Sequence, residues 1–282
     1  MTPAGTSQIK AGPLIFEESP RWVRAEVGGV TVADSKKPLL LWEEGKVLPV
    51  YLFPRDDVRA DVLRPSENPI PEAHHGLASY FTLEVDGRVA ENGAWSYSSV
   101  PGPEGERLAD HVAFEWEAMD AWYEEEERII AHPRDPYHRV DTRESSRHVR
   151  VELGGETLAE TARPRLVFET GLPTRYYLPR EDVWTALLAP SETRTLCAYK
   201  GEAHYWSTSV GGEAYEDVAW SYPEPLPDNP QIRGLVCFLN ERADIYVDGE
   251  RLERPTTQWS GGFRSNVRGG GSGTEQGPHG PE

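Results

Sequence analysis

The sequence predicts a mainly β, that is β-rich α+β, protein made of two copies of one domain of roughly 110 residues. Three observations lead to this prediction: an internal repeat, segments of alternating apolar and polar residues joined by glycine turns, and a composition of 24 Pro, 26 Gly, 9 Trp and 12 Tyr against 2 Met. Short strands, many turns and aromatic packing produce such a composition. A chain of 282 residues also accommodates two cores better than one.

The repeat becomes visible when the sequence is compared with itself. The offset between the copies is 126 residues at first and 125 after Lys46, near which one residue drops out. The most similar stretch has 10 of its 22 positions identical, and duplication accounts for this level of identity. The matched stretches are 21–29 with 147–155, Glu43 with Glu169, 54–58 with 179–183, and 76–97 with 201–222.

The same order of elements is expected in both copies. A hairpin comes first, because Gly28-Gly29 supplies the positive φ that a two-residue turn requires. Two strands follow, then a short helix opened by Pro54 or Pro179, and then two more strand pairs. The predicted strands are 22–27, 30–33, 39–43, 48–53, 78–85, 89–97, 111–116 and 119–123, and in the second copy 148–153, 156–159, 203–210, 214–222, 235–239 and 243–247.

The domain boundaries follow from the repeat and from local composition. Residues 14–123 and 145–260 are the two copies, and the acidic and proline-containing segment 124–144 is predicted to be a solvated connector with a frayed helix at its start. Residues 261–282 are glycine-rich and are interpreted as a disordered tail, native or a remnant of cloning. In the second copy, Val183, Leu187 and Leu188 are expected to face the core.

Charge and hydropathy exclude several classes of partner. The chain carries 29 Lys and Arg against 47 Asp and Glu, a net charge of −18, so a nucleic-acid partner is not expected. No apolar stretch approaches the ~20 residues that cross a membrane, and residues 1–12 lack the apolar run of a signal peptide. We therefore expect a cytoplasmic protein without a membrane partner. Cys197 and Cys237 are expected to be buried structural thiols.

Five short segments of the chain form a characteristic set: 18–24, 32–35, 197–201, 219–223 and 232–238. Together they resemble the DUF427 family in a tandem form. The resemblance covers most of residues 16–255 and implies a β-tent domain in each copy, in which two antiparallel sheets lean over an aromatic-lined cleft. The name given to this family also suggests nucleotidyl transfer. At 72–76 the first copy lacks the Cys and the Lys that the second copy has at 197–201.

An enzymatic activity stays open on the sequence alone, with no catalytic residue and no cofactor assigned. Nucleotidyl transfer needs carboxylates placed to hold magnesium. The pairs Asp56-Asp57 and Glu181-Asp182 are adjacent rather than alternate, and at a helix start they also complement the helix dipole. The sequence contains no Gly-x-Ser-x-Gly elbow and no phosphate-binding loop.

Two polar motifs have more than one interpretation. The pair His74-His75 is expected to lie in a solvated loop, and no metal site is predicted because neither a cysteine nor a third histidine is nearby. The motifs Ser66-Glu67 and Ser191-Glu192 follow a proline in both copies, where they can cap a turn or contact a ligand.

Aromatic residues form the most suggestive pattern. Tyr80, Trp95 and Tyr97 recur as Tyr205, Trp220 and Tyr222 on paired strands. Such residues pack a core or sheet, or they line a ligand cleft in which a few polar groups converge. The candidate polar groups are Arg180, Glu192, Lys200 and His204 in the second copy, and Arg55 and Glu67 in the first.

The resulting hypothesis is a small-molecule-binding cleft, mainly in the second copy, with Lys200 offering its ammonium to an anionic or carbonyl group. Two alternatives remain: an enzyme such as a nucleotidyltransferase, and a structural module without a ligand. The two domains are expected to pack as a pseudo-symmetric pair within a monomer, because a gene fusion preserves the isologous interface of a homodimer.

Overall fold

The computed structural model describes residues 8–260 and divides the chain into two compact units, the first ending at His138 and the second beginning at Arg139. The predicted tail, residues 261–282, lies outside the described residues. Each unit contains two antiparallel sheets, which confirms the mainly β class and the two-sheet domain. Within residues 8–260 no helix is long and apolar enough to cross a membrane.

The first unit combines an eight-stranded sheet, in the order β1-β2-β5-β6-β10-β9-β8-β7, with a four-stranded sheet, β12-β11-β3-β4. Its α-helix begins with a proline at its first turn, and its remaining helical turns are 3₁₀. The elements are β1 Ile9–Ala11, β2 Leu14–Glu18, β3 Val23–Val27, β4 Val30–Ser35, β5 Leu39–Glu43, β6 Val50–Pro54, 3₁₀ Arg55–Asp57 and Ala60–Val62, β7 Leu63–Pro65, 3₁₀ Ala73–Gly76, β8 Ala78–Val85, β9 Arg88–Tyr97, α1 Pro103–Ala109, β10 His111–Phe114, 3₁₀ Trp116–Ala118, β11 Ala121–Glu124 and β12 Glu127–Ile129.

The second unit repeats this topology with a seven-stranded sheet, β13-β16-β17-β21-β20-β19-β18, and a four-stranded sheet, β15-β14-β22-β23. The elements are β13 Val140–Glu144, β14 Val149–Leu153, β15 Glu156–Thr161, β16 Arg165–Glu169, β17 Arg175–Leu178, 3₁₀ Arg180–Asp182 and Thr185–Leu187, β18 Leu188–Cys197, β19 Gly201–Val210, β20 Glu213–Ser221, 3₁₀ Pro230–Ile232, β21 Val236–Phe238, β22 Asp244–Val247 and β23 Glu250–Arg251.

The predicted tight turns form as expected. Gly28 and Gly29 have φ of 61° and 77° and connect β3 to β4, which pair antiparallel. Asp86 and Gly87 turn β8 into β9 in the same way. Glycine adopts this left-handed region at little cost, which explains why these positions end the strands.

Each large sheet is apolar on both faces, so each unit has two clusters of buried side chains. One cluster joins the large sheet to the small one, as Ala25 of β3 and Phe53 of β6 show in the first unit. The other cluster lies on the opposite face, where Trp95 and Tyr97 of β9 project. Successive side chains of a strand point to opposite faces of the sheet, so neighbouring residues of one strand belong to different clusters. We call the second face the outer face of each unit.

Two expectations about the elements were wrong, whereas the short helix after the proline was confirmed. Pro54 and Pro179 each cap a short 3₁₀ helix with acidic residues in its first turn, and the α-helix Pro103–Ala109 of the first unit was not predicted. The last two strands of each copy do not pair with each other, since β10 joins the large sheet and β11 the small one. Leu187 is exposed, although Val183 is buried as predicted.

The predicted connector 124–144 has more structure than expected. Glu124 ends β11, Glu127–Ile129 form β12, and Val140–Glu144 form β13 against β16. The frayed helix expected at the start of this segment is therefore wrong: its acidic residues lie on a β-hairpin at the edge of a sheet. The packing of the two units as a pseudo-symmetric pair remains a prediction.

Candidate functional site

A buried carboxylate lies at the same place on the outer face of both units. Glu43 ends β5 and Glu169 ends β16, and the two occupy equivalent positions of the repeat. Their side chains are only 2% and 6% exposed. An ionised carboxylate at this depth requires a compensating cation or several hydrogen-bond donors.

In the second unit the compensating cation is Lys200. Its ammonium donates to Glu169 Oε2, and the Lys200 side chain is 9% exposed. Lys200 lies in the turn before β19, and the next residue, Gly201, has a φ of 105°. A Cβ on Gly201 would come within 3.2 Å of the Glu224 carbonyl oxygen, so this position favours glycine on two grounds.

Aromatic rings line the outer face beside this ion pair. Tyr205, Trp220 and Tyr222 belong to one buried cluster together with Tyr177. Trp220 Nε1 donates to Tyr177 Oη at 3.1 Å, and the hydroxyls of Thr195 and Tyr205 lie 2.8 Å apart. Burial raises the pKa of Tyr205 to about 12, and it also raises the pKa of Tyr177 and Tyr222, so all three phenols are neutral.

In the first unit His74 and Lys46 together take the place of this cation. His74 Nδ1 donates to Glu43 Oε1, which also accepts from the hydroxyl of Tyr97. Lys46 pairs with Glu43 Oε2, and its ammonium lies 3.2 Å from His74 Nδ1. Burial alone would raise the pKa of Glu43, but the hydrogen bond and charge of His74 lower it to about 2. Burial opposes the charged form of His74, yet Glu115 and Glu43 raise the His74 pKa above its ordinary value.

The backbone that presents His74 is left-handed over three consecutive residues. His74, His75 and Gly76 have φ of 49°, 56° and 69°. Residues other than glycine adopt this region rarely and at a cost of ~1–3 kcal/mol where they are strained. The conformation turns His74 into the aromatic face and leaves His75 exposed.

The expectation that His74-His75 is a solvated pair is therefore wrong for His74. His74 is only 6% exposed, and its ring stacks on Trp95 with centroids 4.2 Å apart and an angle of 17° between the planes. Glu43, with which His74 pairs, lies 31 residues away in sequence. The local sequence therefore holds no sign of this contact.

The structure brings together only part of the predicted site. Lys200, Tyr205, Trp220 and Tyr222 lie on the outer face of the second unit, and Tyr80, Trp95 and Tyr97 on that of the first.

The other predicted polar groups lie elsewhere. His204 neighbours Tyr205 on β19 and therefore projects from the opposite face, where it pairs with Glu202. Arg180 is exposed over the ring of Trp206, and Glu192 is exposed on β18. In the first unit Arg55 binds the Ala109 carbonyl and the Ser96 hydroxyl, and Glu67 is exposed.

Sequence reasoning missed both carboxylates as site residues. Glu43 and Glu169 were visible as an identical pair at the end of an apolar strand, which is an unusual place for an acidic side chain. Cys237 is buried as expected, with a pKa raised to about 12 by burial, but Cys197 is only half-buried. Within residues 8–260 no group of three or more His, Cys, Asp and Glu side chains is placed to hold a metal ion.

Comparison with known proteins gives one result. A family model described as a domain of unknown function (DUF427) matches residues 15–125 and, a second time, residues 141–249. No curated protein gives a significant match to the chain.

Proposed function

The chain belongs to the DUF427 family in both of its halves, and we propose that it is a small-molecule-binding protein whose recognition centre is the aromatic outer face around Lys200. The observation that carries this proposal is the buried ion pair between Lys200 and Glu169. Such a pair adds little net stability, because the cost of desolvating both charges offsets most of their attraction. Its position beside aromatic rings is the kind of environment that recognition sites use.

The residues suggest the kind of ligand. Lys200 has three N–H donors, so a ligand carboxylate, phosphate or carbonyl oxygen can share its ammonium with Glu169. Tyr205, Trp220 and Tyr222 provide flat apolar surface for the remainder of the ligand. The first unit has no lysine at the position of Lys200, and for this reason we assign the working site to the second unit.

A structural module without a ligand is the second candidate, and the packing of the rings favours it. Tyr177 and Tyr222 are 1% and 5% exposed, so the second unit's aromatic side chains fill much of their own space. In this alternative the ion pair only fixes the turn before β19 to the end of β16. A ligand would then have no effect on the stability of the protein.

Nucleotidyl transfer has no comparable observation in its favour. Asp57 accepts a hydrogen bond from Ser35 at 2.6 Å, and Asp182 accepts one from Thr161 at 2.8 Å. These carboxylates therefore connect the 3₁₀ turns to β4 and β15. Magnesium-dependent turnover of a nucleoside triphosphate would nevertheless revive this alternative.

The proposal is tested by screening a metabolite library for thermal stabilisation of the wild-type protein, Lys200→Ala and two controls, each compared with its own melting temperature without ligand. His204→Ala is the control on the opposite face of the same strand, and His75→Ala is the control at the equivalent position in the first unit. We expect a hit that stabilises the wild type and both controls but not Lys200→Ala. Equal stabilisation of Lys200→Ala, or no hit combined with no copurifying compound in mass spectrometry, would support the structural module.

A further inference from the structure

The side chain of His74 occupies a chamber on the outer face of the first unit that is built like a binding site. Trp95 forms one wall and stacks on the imidazole. Tyr97 meets the same ring edge-on, at 89° and a centroid distance of 6.1 Å, and Tyr80 lies at 5.9 Å. Aromatic faces of this kind attract cations through the negative potential of their rings.

The floor of the chamber is the carboxylate of Glu43, and two polar atoms of its walls are buried without a hydrogen-bond partner among residues 8–260: the hydroxyl of Tyr80 and Nε1 of Trp95. Tyr80 is only 5% exposed, and its hydroxyl can accept a hydrogen bond from a ligand. A buried hydroxyl without a partner costs about 1–3 kcal/mol. A ligand with further N–H groups can satisfy this hydroxyl.

The second unit shows why this hydroxyl lacks a partner. There β18 runs for 10 residues to Cys197, and Thr195 on this strand bonds the hydroxyl of Tyr205. The corresponding strand of the first unit, β7, has only 3 residues, and the position equivalent to Thr195 is Ile70. The chain leaves the sheet after β7, so the chamber is covered by a loop instead of by a paired strand.

The cover is a short surface segment with one buried side chain. Between Pro71 and Gly76 only His74 is buried, and Pro71, Glu72, His75 and Gly76 are exposed. The left-handed backbone at His74 and His75 weakens the closed arrangement. Because residues 71–76 lie between β7 and β8 and belong to neither strand, a displacement of this segment would uncover the chamber without breaking the hydrogen bonds of the sheet.

We propose that the chamber formed by Glu43, Tyr80, Trp95 and Tyr97 binds a planar organic cation that carries N–H groups, such as an imidazolium, amidinium or guanidinium group, and that His74 is its displaceable internal occupant. Planarity matches the stacking position on Trp95.

One N–H donates to Glu43, as His74 Nδ1 does, and a second lies toward Glu115, whose Oε1 is 3.9 Å from His74 Nε2. The further N–H groups of an amidinium or guanidinium can reach the hydroxyl of Tyr80. Lys46 Nζ lies 3.2 Å from His74 Nδ1, so the ligand shares Glu43 with the Lys46 ammonium, as His74 does. Glu43 and Glu115 together disfavour an anion at this position.

The probe for this proposal is 4-methylimidazole, which reproduces the side chain of His74, used at about pH 6 where an imidazole is largely protonated. Saturable binding is measured by tryptophan fluorescence and by thermal shift on wild type, His74→Ala and the exposed neighbour His75→Ala. Two control probes are used: thiophene, a neutral ring of similar size, and tetramethylammonium, a cation without N–H groups.

We expect His74→Ala to bind 4-methylimidazole saturably and both control probes much more weakly. Wild type and His75→Ala should bind the same probe about tenfold more weakly than His74→Ala, because the probe must first displace His74. Adding Glu43→Gln to His74→Ala should abolish binding. If His74→Ala does not fold alone, refolding with the probe should restore the folded protein.

Four results would overturn the proposal: no binding or rescue by the probe, equal binding of thiophene or tetramethylammonium, binding that survives Glu43→Gln, or wild type that does not bind at any concentration. The last result would leave His74 as a permanent part of the core. All these variants lie in the first unit, so the outcome is independent of the ligand proposed for Lys200 in the second.

Discussion

Arg175 and Glu241 form a bidentate ion pair inside the second unit, in which the guanidinium Nη1 and Nη2 lie 2.7 Å from the two carboxylate oxygens. The side chains are 5% and 0% exposed. The guanidinium also lies 5.6 Å from the ring centroid of Trp220, so the pair supports the outer face from one side. The first unit has Val50 at the position of Arg175 and therefore lacks this pair.

Glu241→Gln should lower the free energy of unfolding by about 3–5 kcal/mol, because it leaves the buried Arg175 charge without its carboxylate. Urea unfolding measures this change. The matched control is Arg147→Ala, which breaks an ion pair with Asp248 whose side chains are 53% and 50% exposed. This control should cost at most about 1 kcal/mol. Similar losses in the two variants would contradict the buried charge pair.

Lys200 and Glu169 should be energetically coupled. Lys200→Met leaves the buried Glu169 without this cation and should cost about 3–5 kcal/mol. The double variant Lys200→Met with Glu169→Gln should lose clearly less stability than the two single variants lose together. The double-mutant cycle should therefore give a coupling energy of about 0.5–3 kcal/mol. The same cycle on the exposed pair Arg163 and Glu181 should give at most about 1 kcal/mol. Additive losses at Lys200 and Glu169 would show that the pair is not coupled.

Trp95 and Trp220 are buried at equivalent positions of the repeat, at 2% and 6% exposure. Replacing either by Ala should lower the free energy of unfolding by about 3–5 kcal/mol and change the tryptophan fluorescence of the folded protein. Trp184→Ala is the control, because Trp184 is 46% exposed. Unchanged melting temperatures in the first two variants would place these indoles outside the core.

The fold was largely predictable because its determinants are local. Paired glycines marked the hairpin at Gly28-Gly29, and alternation placed Trp95 and Tyr97 on one face. The prediction of strand pairing failed where the same local pattern is compatible with two different structures. Residues 111–123 resemble a hairpin, but the 3₁₀ turn Trp116–Ala118 redirects the chain. Trp122 of β11 then packs in the cluster between the sheets.

The site was less predictable because its contacts are distant in sequence. His74 in a loop with prolines and acidic residues has the composition of a solvated segment, and only the folded sheet brings Glu43 beneath it. Lys200 was identified from the comparison of the copies, but its partner Glu169 was not. Identical acidic residues at the ends of apolar strands in both copies are the signal that would have found it.

The charges around Glu43 also predict how the stability of the first unit depends on pH. Three ionisable groups contact this carboxylate: Lys46 in the following loop, His74 in the cover and Tyr97 on β9. Glu115, after β10, faces the other side of the His74 ring. Burial raises the pKa of Tyr97 far above its ordinary value, so this hydroxyl stays neutral throughout the accessible range. The titration is therefore governed by Glu43 and His74.

The pKa of Glu43 falls from 4.5 to about 2 on folding, so the folded state holds this proton less tightly than the unfolded state. The associated stability, on the order of 3 kcal/mol, is present above pH 4.5 and is lost as the pH falls toward 2. The pKa of His74 is raised above 6.5, so its contribution is present below that pH and is lost as the pH rises through the folded value. The ion pair should stabilise the protein most between about pH 4.5 and 6.5.

Urea unfolding of the wild type and Glu43→Gln from about pH 2 to about pH 8 measures the loss of stability on both sides of this window. We expect the wild type to lose stability on both sides of the window and Glu43→Gln to show a much smaller loss between pH 4.5 and 2, since it has no carboxylate to protonate. Glu67→Gln is the control, because Glu67 is exposed and acidic in the same unit. Parallel acid profiles for the wild type and Glu43→Gln would show that Glu43 is not ionised beneath His74.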